Sequence, residues 1–386
     1  MKKPLLVVII ILVVILALPA FKFFQWSFKT KKPMNIIIID KTSSTIDREK
    51  HKSLTWALTN NRIVKKTNKS SYSYKKDYFG FMPKRPLREK KWDRVDLRLA
   101  NVFKFADSCD VLYVADTYGV YFNDWYTGIN KSRRSRKLYG GTNSVDFLYI
   151  KEMHDRNKLV ILEYNTFDYP TPDLEKWKIT SQLLGIKYNG WTGKYFASLD
   201  TTSDRDFPVW MTGMYRKEYG KPWKFTRAGV VLIREREIIV LEEGTHLKSA
   251  MPHIITDSAL CAKYGLVQKV VFDGWFDVID PMDNKVLSKF NLETTSAGDT
   301  LLYENYLSGI FPAVITDTDS HKTYYFSGDF ATNKVQYWAA RIEGSEKLKG
   351  LFYSENPEDP RRFFWLFYRP LITGILNDYY ATLKKK

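Results

Sequence analysis

Three strand-length apolar runs, each closing on a carboxylate, recur in the first half of this chain: residues 34–40 (MNIIIID), 110–116 (DVLYVAD) and 158–163 (KLVILE). Uninterrupted apolar runs of this length are strands buried on both faces, and burial on both faces is the habit of parallel sheets covered by helices. Helical patterns follow the runs as that architecture requires. Residues 48–60 place Leu54 and Leu58 four apart, residues 143–156 follow a Gly140-Gly141-Thr142 turn with Thr142 or Ser144 as the expected N-cap, and residues 173–184 stop at Gly185. Strand, loop and helix in alternation define an α/β unit.

Between the first two runs, residues 61–98 are basic, aromatic and short of periodicity, and read as a long excursion over the sheet. Beyond residue 225 the pattern changes to alternation and turns, which argues for antiparallel strands. Residues 230–234 and 238–241 suit a hairpin, although Glu235-Arg236-Glu237 lacks the usual Gly or Asn turn chemistry. A further pair, 313–316 and 324–327, flanks a polar connection. The tail from Phe363 is strongly apolar, but Arg369-Pro370 and Asp378 interrupt it, so it reads as helices packed on the body rather than a span. The expected organisation is an anchor and basic linker over 1–33, an α/β domain over 34–225 and a β-rich part with C-terminal helices over 226–386.

Residues 4–20 (PLLVVIIILVVILALPA) form an apolar run directly after Met1-Lys2-Lys3. With Phe21, Phe23, Phe24 and Trp26 it reaches the length of a short membrane helix if Lys22 snorkels. A cleaved signal peptide is the competing reading, but Leu18 stands where a small residue belongs before a cut at Ala20. A single-pass membrane protein is therefore expected. Lys22, Lys29, Lys31 and Lys32 would hold the body in the cytoplasm by charge alone. Long domains translocate largely regardless of flanking charge, and a three-residue N-terminal tail resembles an export signal, so an extracytoplasmic body is expected.

The chain is 44% apolar and 16% aromatic, which excludes disorder. Its formal charge of +17 is spread along the sequence without a nucleic-acid motif, so lipid head groups or acidic surface polymers are the expected counterparts, and nucleic acid is not. Two cysteines, Cys109 and Cys261, make neither a disulfide framework nor a zinc site. No cofactor and no metal are expected.

Ligands of open parallel sheets bind beyond the carboxyl ends of the strands. That rule gathers Asp40, Asp116, Thr117, Tyr118, Glu163 and Asn165 on one rim, with His51 above them. Asp116 and Glu163, with His51, suit general acid–base chemistry if they share a crevice. The plainer role for the same acids is capping helices and neutralising nearby cations such as Lys41. No Ser or Cys sits on a strand-to-helix elbow, which argues against a nucleophile. Residues 189–196 (NGWTGKYF) place Trp191 and Thr192 between glycines in a loop that displays an aromatic ring near polar groups, which suits a sugar; Asp329, in GDF, is a weaker candidate of that kind.

The runs DTYGVY (116–121), the Gly140-Gly141-Thr142 turn, LEYNTF (162–167), GWTGKYF (190–196) and SGDF (327–330) resemble an uncharacterised group of bacterial membrane-anchored proteins. Over residues 34–225 the body is similar to the class I glutamine amidotransferase-like superfamily, including the trehalose-utilisation-type proteins. The resemblance implies a flavodoxin-like parallel sheet flanked by helices, here with an antiparallel β-rich C-terminal part and an N-terminal transmembrane helix. It carries over no catalytic residue, because no Cys occupies the superfamily's nucleophile position. The expected function is a membrane-anchored protein that binds carbohydrate or another envelope component. The alternatives are a hydrolase or lyase using Asp116 and Glu163, and a scaffold of a membrane assembly.

Overall fold

The computed structural model describes residues 17–89, 91–128, 135–202 and 207–385. Its principal elements are β1 (Ile36–Asp40), α1 (Glu49–Asn60), β2 (Phe79–Pro83), β3 (Trp92–Val95), α2 (Val102–Ser108), β4 (Val111–Asp116), α3 (Ser144–Asp155) and β5 (Leu159–Glu163). They continue with β6 (Lys187–Phe196), β7 (Gly229–Arg234), β8 (Glu237–Glu242), β9 (His253–Thr256), β10 (Lys269–Val271), β11 (Trp275–Asp280), β12 (Lys285–Asn291), β13 (Ile310–Thr316), β14 (Thr323–Phe326) and α4 (Arg369–Leu383).

A ten-stranded sheet, in the order β10-β9-β12-β13-β14-β5-β4-β1-β2-β3, forms the centre. Five of its strands, β14, β5, β4, β1 and β2, run parallel, and the flanking ones are antiparallel. Read from β2 to β14, the parallel strands stand second, first, third, fourth and fifth by occurrence in the chain. Strand order reverses between β1 and β4, which creates a crevice at their carboxyl ends.

The three apolar runs are the strands β1, β4 and β5, and their residues are buried throughout. Even-numbered Ile36 and Ile38 pack on one face with Leu54, Trp56 and Leu58 of α1, while Ile37 and Ile39 pack on the other with Val102, Phe147 and Ile150. Alternate side chains thus feed two cores, as a doubly covered sheet demands.

Several expectations change. Residues 61–98 are not only an excursion, because β2 and β3 inside them extend the sheet past β1. Gly80 makes this docking feasible: at φ 149 it lies so close to β1 that a Cβ would stand 1.6 Å from the Asp40 carbonyl oxygen. The N-cap of α3 is Asn143, between the two residues expected, and its side chain accepts from the Val145 and Asp146 N–H groups. The β7–β8 hairpin forms without Gly or Asn; Glu235 itself takes the left-handed conformation at φ 48, and Arg234 pairs with Glu237 across the turn. The sheets also run through residue 225. β6 pairs with β7, and β5 pairs with β14, so strands from either side of that point share both sheets.

A second sheet, β8-β7-β6-β11, is wholly antiparallel. It approaches the main sheet through the Phe276–Gly328 bridge. The apolar tail packs inside: Phe363, Phe364, Trp365, Phe367 and Tyr368 are buried, and Trp56 meets Phe364 and Trp365 edge-on, each at 5.2 Å.

Residues 17–28 are helical. No helix among the described residues is long and apolar enough to cross a membrane, and residues 4–16, most of the expected anchor, lie outside the described residues.

Trp56 ties α1 to the tail, and truncating a fully buried aromatic side chain costs about 3–5 kcal/mol. Trp56→Ala is expected to lower the unfolding free energy by that amount in a urea titration; a loss near zero would show that the tail does not belong to the core.

Candidate functional site

The crevice between β1 and β4 is built by the loops that leave those strands. The Lys41 N–H donates to the Asp116 carbonyl at 2.8 Å, and the Thr42 hydroxyl donates to Asp116 Oδ1 at 2.7 Å while accepting from the Gly119 N–H at 2.8 Å. Asp116 Oδ1 also accepts the Tyr118 N–H at 2.7 Å. Its other oxygen faces Lys50, which α1 projects from its first turn over the rim. The Lys50 ammonium lies 3.0 Å from Asp116 and 2.5 Å from Asp329, so one cation bridges two carboxylates that are both nearly inaccessible to solvent.

Burial pushes the Asp116 carboxyl up; Lys50 opposes this and Asp329 reinforces it, leaving a net rise. For Lys50, burial works against the charge, but the two carboxylates outweigh it and hold the ammonium above its ordinary range.

A cavity of about 200 Å³ opens here, lined by Thr42, Lys50, Asp116, Tyr118, Tyr164, Asn165, Asp168, Tyr169, Thr192, Pro208, Trp210, Ile233 and Trp275. The main sheet supplies its acidic floor, and the second sheet supplies Thr192, Ile233 and Trp275. Asp168, Tyr169, Thr192, Trp210 and Ile233 also border a larger pocket of about 900 Å³, towards Lys176 and Arg234. Lys50 and Trp275 border one of about 500 Å³ on the other side, towards Lys194 and Asp329. The three adjoin one another through these shared residues as a segmented groove, in which Lys50 stands between the 200 and 500 Å³ parts.

Asp116, Tyr118, Asn165 and Thr192 thus meet in one cavity, and Asp329 reaches it through Lys50. The remaining expected site residues do not line it. Asp40 is fully buried; its oxygens accept from the Thr42 and Ser43 N–H groups, the Ser43 hydroxyl and His51 Nδ1. Burial alone would raise its pKa, but His51, Ser43 and Thr42 lower it overall. His51 is equally buried, and its Nε2 donates to the Tyr74 carbonyl at 2.8 Å, so both ring nitrogens are engaged internally.

Glu163 points to the face covered by the tail. It accepts from the Tyr113 hydroxyl and from the Ala331 N–H at 3.0 Å, and Tyr113 in turn meets the Tyr368 hydroxyl at 2.9 Å. Burial raises its pKa well above the ordinary value. Thr117 is a strut: its hydroxyl donates to the Asn165 carbonyl at 2.9 Å. Trp191 lies in β6 rather than in a display loop, fully buried, with the Arg234 guanidinium 4.6 Å above its ring. Strand β6 carries Thr192 to the cavity and its neighbour Trp191 to the core, because successive side chains leave a strand on opposite faces.

Sequence reasoning missed Lys50, Thr42, Tyr164, Asp168, Trp210, Trp275 and Asp277. For Lys50 a signal existed, since it precedes His51 at the rim end of the same helix. Asp277 alternates with apolar Phe276 and Val278 in the sequence, a pattern that points it to solvent, yet it is buried where the two sheets meet. It accepts from the Tyr325 hydroxyl at 2.5 Å, the Asn165 N–H at 3.2 Å and the Thr192 hydroxyl at 3.1 Å.

Among the described residues, no group of three His, Cys, Asp or Glu is arranged to hold a metal ion. Searches for relatives return nothing. No family model, no curated protein and no solved structure significantly matches the chain. The site must therefore be read from its own chemistry, which offers aromatic walls, hydroxyl and amide groups, and a carboxylate–ammonium–carboxylate bridge.

Burial, reinforced by the charge of Asp168, pushes the Asp277 carboxyl up to about 7 against the hydrogen bonds it accepts. An unfolded aspartate titrates at about 3.9. The fold therefore holds this proton more tightly than the unfolded chain, and stability declines as pH climbs from about 4 to about 7, then levels off. The decline is on the order of 4 kcal/mol. Asp277→Asn keeps an acceptor for Tyr325 and Asn165, so its unfolding free energy is expected to fall less than the parent's over that interval. Parallel slopes in urea titrations at several pH values would refute the assignment.

Proposed function

We propose that the groove binds carbohydrate, as part of a protein held at the cell membrane with its body in the envelope. The observation that carries this is the pairing of aromatic walls with hydrogen-bonding groups in one cavity. Tyr118, Trp210 and Trp275 are half-buried and Tyr169 is exposed, and all four border the cavity. Tyr164 stacks near-parallel to Trp275 with ring centroids 6.3 Å apart, which fixes that wall. Sugar rings offer apolar C–H faces to such walls and hydroxyls to Asp116, Asn165, Asp168 and Thr192. The pockets on both sides extend the groove beyond a single ring, which favours an oligosaccharide laid across Lys50 and Trp275. The strand order around the crevice supports a flavodoxin-like core, the architecture that the amidotransferase-like resemblance implies.

A second reading is an acid–base enzyme, favoured by the raised pKa of Asp116 inside the cavity. Glu163 lies outside the cavity, so in this reading Asp329, across Lys50, is the nearer partner.

The test is titration of the full chain against envelope oligosaccharides by calorimetry. Trp275→Ala is expected to weaken binding about tenfold, which corresponds to ~1.4 kcal/mol of lost stacking. Absence of binding to every envelope oligosaccharide, or equal affinity of the variant, would sink the proposal. If Asp116→Asn retains binding while the parent alone degrades the bound sugar, the enzyme reading takes its place.

A further inference from the structure

The end of the molecule from which β1 starts has an exposed surface that the groove does not use. In the helix over residues 17–28, Leu18, Phe21, Phe24 and Phe28 are exposed. Trp26 is the exception: it is buried, its Nε1 donates to the Thr59 carbonyl at 3.0 Å, and the Arg62 guanidinium lies 4.5 Å from its ring. The helix is thus fixed to the body through Trp26 while its other apolar side chains face outward. Contiguous exposed apolar surface of this kind marks an interaction site.

A second segment is tied to the helix. The Glu343 N–H donates to the Lys22 carbonyl at 3.3 Å, and Glu343 forms an ion pair with Lys29. Just beyond it, residues 347–351 (KLKGL) are all exposed, with Leu348 at 43% and Leu351 at 59%. The carboxyl terminus reaches the same region. Lys32 donates to Asn377 Oδ1 at 2.7 Å, and burial, with the charges of Lys29 and Lys384, lowers the pKa of its ammonium. Like charges gathered around exposed leucines and phenylalanines need a partner that is both anionic and apolar. An anionic bilayer surface is both, because phosphates meet the lysines while acyl chains take the leucines.

We propose that this face seats the body on an anionic bilayer, with Leu348 and Leu351 entering the head-group boundary beside the helix. The proposal rests on the reading of residues 4–16 as membrane-inserted, since that apolar run leads directly into the helix. It is independent of what the groove binds. It also orients the groove: β1 starts near this face and runs away from it, so Asp40 and the rim lie roughly 15 Å further along the strand.

The test uses the full chain reconstituted into phosphatidylcholine vesicles with and without phosphatidylglycerol. A polarity-sensitive fluorophore is attached in separate proteins through Leu351→Cys, Phe24→Cys or Tyr306→Cys; the native Cys109 and Cys261 are buried, and Tyr306 is an exposed position shortly before β13, towards the rim. On anionic vesicles the labels at 351 and 24 are expected to shift to the blue, and the label at 306 to stay aqueous. High salt, or Lys347→Glu with Lys349→Glu, should return the label at 351 to its aqueous spectrum and leave the label at 24 unchanged. An aqueous label at 351 beside a lipid-exposed label at 24 would overturn the seating and leave the anchor standing. Aqueous labels at both positions would overturn both. An equal shift at 351 on neutral vesicles would overturn the anionic requirement.

Discussion

A buried carboxylate without a partner is costly enough that the fold must bond it, protonate it or neutralise it. This protein buries one at the end of each of three neighbouring strands, β1, β4 and β5, and uses a different solution each time. Asp40 is hydrogen-bonded by His51 and by hydroxyl and backbone donors. Glu163 is sealed under the tail, where the Tyr113 hydroxyl donates to it and its raised pKa favours the protonated form. Asp116 alone is answered by a cation that is still partly in solvent, Lys50. The same constraint, met three ways, decides which part of the rim is sealed and which part is open to the cavity.

Strand order explains why the open position falls at Asp116. Where the order reverses, the helices that follow β1 and β4 pack on opposite faces of the sheet and leave room, whereas the ends of β5 and β14 lie side by side and are closed over by Ala331 and the tail. Lys50 then fills the gap from the first turn of α1. Positive charge is disfavoured at a helix N-terminus. Two carboxylates within 3.0 Å repay that penalty, and they hold the lysine in the crevice rather than in bulk water.

The parallel core was legible because it rests on local signals: continuous apolar runs, helix periodicity and a glycine stop. β2 and β3 were not, since β2 depends on Gly80 slipping beneath the Asp40 carbonyl, a contact between residues 40 apart with no local signature. At the site, Asp116, Tyr118, Asn165 and Thr192 were legible from their place after strands or in a glycine-flanked stretch. Trp191 was misread because a glycine-rich stretch was taken for a loop, whereas a ten-residue strand passes through it and turns the ring inward. Lys50 and Asp277 escaped because a lysine on an amphipathic helix and an aspartate on an alternating strand normally face water. Only the meeting of distant elements turns them inward.

The cavity belongs to neither sheet alone. Thr192 and Asn165 face the cavity with part of their surface, yet both bind Asp277 behind it, and Tyr325 of the main sheet completes that contact. Asp277 therefore acts as a hinge pin between the sheets as well as a support for two cavity residues. A carboxylate whose burial raises its pKa to about 7 holds such a joint most firmly when protonated. Any loosening of the joint displaces Thr192 and Trp275 together from Asp116, since the first two ride on the second sheet and the last on the main one. The groove is thus a consequence of sheet docking, and its geometry is only as stable as that contact.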